Sequence, residues 1–315
     1  MNDLGPITFP GLGWELNPPR GFQIGTFTIY YYGVIIALGL VLAVIYGMRR
    51  CRQFGIKQDD ILDGVLWIVP FAVICARAYY CIFEWENRFA ADPISVFYIR
   101  DGGLAIYGGV IGAAIGIVAY CLFKKIPIAT TLDITAVSFL IGQAIGRWGN
   151  FFNREAFGAE TESFLRMGLY DTVTGSVVYH HPTFLYESVW NALGFVVLHF
   201  LSKKREYDGQ IALGYAFWYG LGRFFIEGLR TDSLYWGPVR VSQLLAAVTC
   251  FIAVVILVIM MFRNHDPKKL FVNVVAAREA AAAEEQTAAE ADVVTDDEPC
   301  DPWDEVIVAE ENDNA

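Results

Sequence analysis

GRWGNFFNREAFG, Gly146 to Gly158, closes a long apolar segment and sets Arg147, Asn150, Asn153 and Glu155 where a membrane helix would leave the hydrocarbon. Ionisable and amide groups at that depth are costly to desolvate. They mark a functional site and call for partners elsewhere in the chain.

The segment is one of seven. Apolar runs long enough to cross a bilayer, about 20 residues each, fall at 27–47, 60–83, 104–123, 130–151, 183–201, 209–228 and 240–262. The connections after the first, third, fifth and seventh runs hold twelve Lys and Arg, including all seven lysines. The N-terminal segment and the other three connections hold seven, all arginine. This asymmetry places the N-terminus outside and the C-terminus in the cytoplasm. The expected fold is all-α, a polytopic seven-helix membrane bundle, because backbone polar groups in lipid are satisfied within helices. The expected division is an external segment at 1–26, a transmembrane catalytic domain at 27–262 and a cytoplasmic tail at 263–315.

Composition agrees: 55% of the 315 residues are hydrophobic and 15% aromatic. The net charge of −11 comes from the tail, where residues 279–315 carry fourteen acids and no Lys or Arg. The remaining 20 acids and 23 bases balance to +3. The tail reads as solvated and largely disordered, with a short helix over 276–291. Trp303 and Val306 to Val308 leave a weak docking segment within it. The six cysteines show no metal-ligand or disulfide spacing, and no cleavable signal peptide is evident.

Three arginines lie within spans. Counted from the inner ends at 1.5 Å per residue, Arg77 and Arg147 lie roughly 25 Å along and Arg223 roughly 21 Å, all in the outer half. Tyr32 and Tyr107 reach the same layer from spans of opposite direction. Gln143, Arg147 and Asn150 share one helix face, and Tyr219, Arg223, Glu227 and Arg230 share another. Two such stripes enclose a polar cavity. Arg77 is open between this cavity and extension of its head to the lipid phosphates. Glu155 and Glu227 are open between fixed ion-pair partners of the arginines and a chemical role. The glycines at four-residue spacing, Gly108 among them, read as close helix packing. Gly102-Gly103 and Gly108-Gly109 also allow backbone to approach a ligand.

A cavity of arginines in the outer leaflet suits a lipid phosphate, which the planar guanidinium fork matches. The external loop 152–182 ends in HHPTFLYE, His180 to Glu187. There His181 and Glu187 are candidates for a proton acceptor and its partner, and His180 reads as a solvated surface residue. No P-loop, HExxH, GxSxG or magnesium-type carboxylate cluster is present, so no cofactor or metal is expected. A lipid transporter would also want intramembrane arginines, but no inverted repeat is visible and the arginines sit off-centre. A seven-span receptor needs no such layer of arginines.

These residues resemble the prolipoprotein diacylglyceryl transferase family. Its Gly-Arg-x-Gly-Asn-Phe-x-Asn-x-Glu-x-x-Gly run is complete from Gly146 to Gly158. Tyr32-Gly33, Arg77, DGGLAIYGG (Asp101 to Gly109), HPTFLYE and YGLGRFFIEGLR (Tyr219 to Arg230) extend the likeness over about residues 20–262. The resemblance implies transfer of diacylglycerol from phosphatidylglycerol to the lipobox cysteine of a secreted prolipoprotein, with release of glycerol-1-phosphate and without a cofactor. It implies a bacterial cytoplasmic membrane enzyme whose partners are phosphatidylglycerol, prolipoprotein signal peptides and membrane lipid, not nucleic acid. A monomer is expected. Carried onto this chain, the catalytic set is Arg147, Arg223, Glu155, Tyr107 and His181. The lipid-binding set is Arg147, Asn150, Arg223, Tyr32, Arg77, Tyr219, Glu227, Arg230, Gly108 and Gly158. Some members have a histidine in the block that here reads AIYGG. Tyr107 stands in this chain, so the reaction cannot depend on an imidazole there.

Overall fold

The computed structural model describes residues 5–295, apart from 100, 101, 172, 173, 232 and 234. Asp101 and the possible docking segment at Trp303 and Val306 to Val308 lie outside the described residues. The chain divides into two compact units, Met1–Val272 and Asn273–Ala315.

The first unit is built on seven long helices: α1 (Tyr31–Arg50), α2 (Gln58–Phe83), α3 (Ile106–Lys124), α4 (Ile128–Asn153), α5 (Thr183–Ser202), α6 (Gln210–Leu229) and α7 (Val241–Met261). All of these but α6 are long and apolar enough to cross a membrane, which makes a polytopic membrane protein. α6 is 20 residues long but carries Arg223 and Glu227 in its last two turns. Side chains such as Leu38, Leu66, Ile74, Val110 and Phe251 stand exposed on the outer faces. Apolar surface on that scale is suited to lipid contact. α4 is the central helix, packing on α1, α5 and α6, while α2 pairs with α3 and α6 with α7.

The fold is mostly helical, in keeping with the all-α expectation, and adds short strands that the expectation did not include. Strands β1 (Ile7–Phe9), β2 (Trp14–Leu16), β5 (Met167–Asp171) and β6 (Ser176–His180) form an antiparallel sheet in the order β2-β1-β5-β6. Hairpins β3–β4 (Gly21–Ile24, Phe27–Tyr30) and β7–β8 (Tyr235–Trp236, Val239–Arg240) stand beside the helix ends. Short β-branched and aromatic runs such as Ser176–His180 favour extended pairing. A search for 20-residue apolar runs passes over them. It also took 27–30 as the start of the first span, whereas a turn with Gly25 at φ 60° folds Phe27 back opposite Ile24. The sheet covers a core of Ile7, Phe9, Phe151, Met167, Leu169 and Phe184, which ties the N-terminal strands to the ends of α4 and α5. Arg154 reinforces this tie with bonds to Gly5 O and Asn17 Oδ1 at 2.8 and 2.9 Å.

At the opposite end, α4 caps α6. Asp133, fully buried, accepts the backbone N–H groups of Gly209, Ile211 and Ala212 at 2.8–2.9 Å. These are orphan donors of the first turn of α6, satisfied by a carboxylate 76 residues or more away in sequence. The cap fixes the register of the two helices. From this shared anchor, Arg147 is 14 residues up α4 and Arg223 is 12 residues up α6 from Ile211. At 1.5 Å per residue both guanidinium groups arrive about 20 Å from the anchor. Asp133→Ala leaves three buried donors without an acceptor, and the expected loss is about 3 kcal/mol of stability. A melting curve in detergent would show it, with Asp133→Asn intermediate.

The described part of the second unit is helical. It belongs to α8, Phe271–Thr295, where a largely disordered tail with a helix only over 276–291 is expected from composition. The run of alanine and glutamate favours helix even without packing.

Candidate active site

Glu187, in the second turn of α5, is the point on which the site converges. Its Oε2 accepts from Arg147 Nη2 of α4 at 2.6 Å, and its Oε1 from Arg223 Nη1 of α6 at 3.0 Å. Arg230 Nη1, just past α6, lies 3.7 Å from the same Oε1. Glu227, one turn above Arg223, holds its other terminal nitrogen at 2.5 Å. Both carboxylates are buried, while the Arg147 side chain keeps 24% of its surface open. Among the described residues, three arginines and two glutamates meet in this cluster. Arg240 adds a fourth cation nearby, donating to the Glu227 carbonyl and, at 2.8 Å, to Tyr235 Oη.

The helix faces are held by close contacts. Trp190 of α5 and Trp218 of α6 stack 4.5 Å apart, and each indole N–H donates to the other's carbonyl at 2.9 Å. A Cβ at Gly222 would overlap the Trp190 indole, so glycine beside Arg223 is what admits this clamp. Trp148 Nε1 donates to Ser188 Oγ at 3.2 Å, and Ser188 donates to the Ala144 carbonyl at 2.8 Å, tying α4 to α5 on either side of the Arg147–Glu187 pair.

The two expected stripes do meet: Arg147 faces Arg223, Glu227 and Arg230 through Glu187. Tyr219 stacks on Tyr215 with ring centres 5.6 Å apart. Tyr32 lies flat on Gly149, where an added Cβ would approach its ring to 2.7 Å. Asn150 sits beside it and donates to Glu155 Oε1 at 3.0 Å. Tyr107 is half open, with Oη 3.4 Å from Ser242 Oγ at the start of α7.

Other assignments are corrected. Arg77 does not face the cavity. Its five N–H donors all meet backbone carbonyls: Nε that of Val96, Nη1 those of Gly102 and Gly103, and Nη2 those of Ser95 and Tyr98, at 2.7–3.3 Å. No donor is left for a phosphate, so Arg77 anchors the loop after α2. Gly102 and Gly103, at φ 81° and 86°, turn their carbonyls onto it, which is the use of that glycine pair instead of approach to a ligand. Arg77→Ala is expected to cost about 3 kcal/mol through the stranded carbonyls. Limited proteolysis within 93–103 would report it. Retention of phosphatidylglycerol would be unchanged, which a head-group ligand would not allow.

Gly108 packs directly on Tyr79 and the Cys75 carbonyl of α2, and so serves helix packing and not the lipid. Gly158 is pressed between His181 and the Leu229 carbonyl, and its N–H donates to His181 O at 2.9 Å. It joins the loop between α4 and α5 to the ends of α5 and α6. Glu155 holds the amides of Asn150 and Asn153 and pairs with no arginine among the described residues. His181 Nδ1 meets Tyr186 Oη at 3.3 Å and not Glu187, so the expected acceptor–partner pair does not form. His180, read as solvated, lies tilted against Phe157 with ring centres 4.5 Å apart, and its Nδ1 meets the Gly158 carbonyl at 3.0 Å. Glu187 is the residue whose role the sequence hid. It was visible as an acid at the mouth of a span, but nothing local marks it as the common counter-ion of two other helices. Among the described residues no group of three His, Cys, Asp or Glu is placed to hold a metal.

A family model described as prolipoprotein diacylglyceryl transferase matches residues 19–259. Among curated relatives, a protein of Enterococcus faecalis named phosphatidylglycerol–prolipoprotein diacylglyceryl transferase is 46% identical over 243 residues, covering 74% of this chain and 87% of that protein. Proteins of the same name from Bacillus cytotoxicus and Listeria monocytogenes serotype 4b are 44% and 42% identical, covering 74% and 78% of this chain and 88% and 90% of their own lengths.

Proposed function

The chain belongs to the prolipoprotein diacylglyceryl transferase family, and from that membership we propose how its own residues carry the transfer of diacylglycerol from phosphatidylglycerol to a prolipoprotein. The reading rests on one observation above all: guanidinium groups from α4 and α6 are gathered on a single buried carboxylate.

Arg147, the most open of the three, and Asn150 bind the phosphate and glycerol of the head group. Arg223 lies deeper and stabilises charge growing on the departing phosphate ester. Glu187 and Glu227 fix the arginine forks, and Glu155 turns the Asn150 amide toward the lipid. Tyr32, Tyr107 and Tyr219 donate to head-group oxygens or to the substrate peptide. The thiolate of the lipobox cysteine attacks the sn-3 carbon. A C–S bond forms, the C–O bond breaks, and its electron pair leaves on glycerol-1-phosphate. Free thiols ionise at about pH 8.5, and guanidinium groups close by favour the thiolate. His181, whose Nε2 has no partner among the described residues, takes the thiol proton.

Seven spans, an outside N-terminus and a cytoplasmic C-terminus complete the proposal, in the bacterial cytoplasmic membrane. The divisions are 1–26 external, 27–262 catalytic and 263–315 a cytoplasmic tail. α6 qualifies as a span because it runs beside α4 from the Asp133 cap to the Glu187 cluster. The positive-inside rule then sets that cluster near the outer face. The test is to mix purified protein with phosphatidylglycerol and a lipobox peptide. A diacylglyceryl mass gain on cysteine is expected, and its absence with well-folded protein would reject the assignment.

A further inference from the structure

Residues 263–272 lie beyond the family match but still belong to the first compact unit. After α7 the chain folds back onto the end of the bundle opposite the arginine cluster. His265 stacks on Tyr207 with ring centres 4.5 Å apart. A 3-10 turn at Pro267–Lys269, capped where Asp266 Oδ1 accepts the Lys268 N–H at 3.0 Å, leads into Phe271. Phe271 packs on the buried cluster of Cys51, Phe54, Ile56 and Ile134. Its N–H donates to Asp208 Oδ2 at 2.8 Å. Val272 lies against Gly55, where an added Cβ would come 2.8 Å from the Val272 Cα.

These contacts grip the turn at 203–209, which joins α5 to α6. Asp133 holds that turn at Gly209. Arg205 donates to the Gln53 carbonyl at 3.0 Å and lies over the Phe54 ring, and Gln53 Nε2 donates to the Ser202 carbonyl at 2.8 Å. The returning segment adds Tyr207 and Asp208 to the grip. The two helices that meet at the turn carry Glu187 and Arg223 toward their far ends. Fifteen residues separate Asp208 from Arg223, so a tilt of about 5° at the turn moves that guanidinium by about 2 Å at helical rise. A misplacement of about 1 Å is enough to cost roughly 10²-fold in rate.

We propose that the segment 265–272 is a positioning element for the transfer reaction and that Phe271 is the residue that seats it. Seated, the segment holds α5 and α6 at the crossing in which Glu187 receives both Arg147 and Arg223. Unseated, the α5–α6 pair is free to tilt. The contact of Arg223 with the transition state then weakens, while binding through Arg147 and Asn150 on α4 is kept. The working enzyme runs to Val272, past the division at 262, and the acidic stretch after it takes no part in the positioning. The inference rests on the roles of Glu187 and Arg223 proposed above.

The test uses the full chain with phosphatidylglycerol and a lipobox peptide. Phe271→Asp should lower kcat about tenfold and leave KM for both substrates within about twofold. Phe271→Leu, which refills the socket, should restore kcat. Cys51, fully buried in that socket, reports the docking. A water-soluble maleimide should label it in Phe271→Asp and not in the wild type, as read by mass mapping. In an Arg223→Ala background, Phe271→Asp should change kcat by less than about twofold, because the contact it acts through is already gone. Should Phe271→Asp fail to fold, Phe271→Ala takes its place with the same expectations. Wild-type kcat in the substituted protein overturns the inference, whether or not Cys51 is labelled. So does a fall in kcat with Cys51 still protected, an equal fall in the Arg223→Ala background, or an effect confined to KM. Failure of the transferase reading shows separately, as no mass gain on the peptide with the wild type.

Discussion

Glu187→Gln lowers kcat/KM for diacylglyceryl transfer by about a thousandfold in a protein that still inserts and folds. The carboxylate divides its two oxygens between Arg147 on one side and Arg223 with Arg230 on the other. The amide keeps the shape but removes the charge, so among the described residues the arginines of this cluster keep Glu227 as their remaining carboxylate. Breaking a buried pair by removing one partner costs about 3–5 kcal/mol, which at 1.36 kcal/mol per decade corresponds to about two to four decades of rate. Part of that energy appears as lowered stability and part as arginines splayed from their places. A transfer assay alongside a melting curve separates the two. Glu187→Asp should recover some activity, because the charge returns even though the reach is shorter. Near-wild-type turnover in Glu187→Gln would remove Glu187 from its central place.

Arg223→Ala is the second large effect, a fall in kcat of about 10²–10³, the usual result of removing one donor to charge that develops in a transition state. Arg147→Ala should act differently. That side chain is the more open of the two and meets the phosphate in the ground state, so KM for phosphatidylglycerol rises along with the loss of turnover. Lysine should rescue neither. Each arginine directs one terminal nitrogen at Glu187, and a point charge cannot hold that carboxylate and a phosphate with one planar fork. A lysine variant with full activity at either position would show that net charge alone is sufficient and that the fork geometry does not matter.

Much of this site is legible in the linear chain because depth in a bilayer is a count of residues. Arg147 and Arg223 are placed in one layer by helical rise alone, and their facing stripes by helical period. The same reasoning fails for Arg77. It sits at the same depth and resembles the other two in every local respect. Whether an arginine meets lipid or the carbonyls of a loop depends on where that loop folds, and the loop after α2 folds back over it. The short strands escape notice for a related reason. Their pairing partners, β1 and β5, are separated by most of the bundle in sequence, and three- to five-residue segments carry little signal of their own.

The sequence by itself determined the membrane class, the positions of the long helices to within a few residues, the layer in which polar groups collect, and family membership through an unbroken run from Gly146 to Gly158. These are properties of single segments, governed by hydropathy, charge asymmetry and helical period. Only the tertiary structure decided which charges meet. Glu187 became the hub, Asp133 became the cap that levels two helices, Glu155 turned to asparagines, and Gly108 and Gly158 served packing. Partner choice depends on how helices rotate and cross, and that is fixed by contacts between residues distant in the chain, such as the Trp190–Trp218 clamp, which no local pattern encodes.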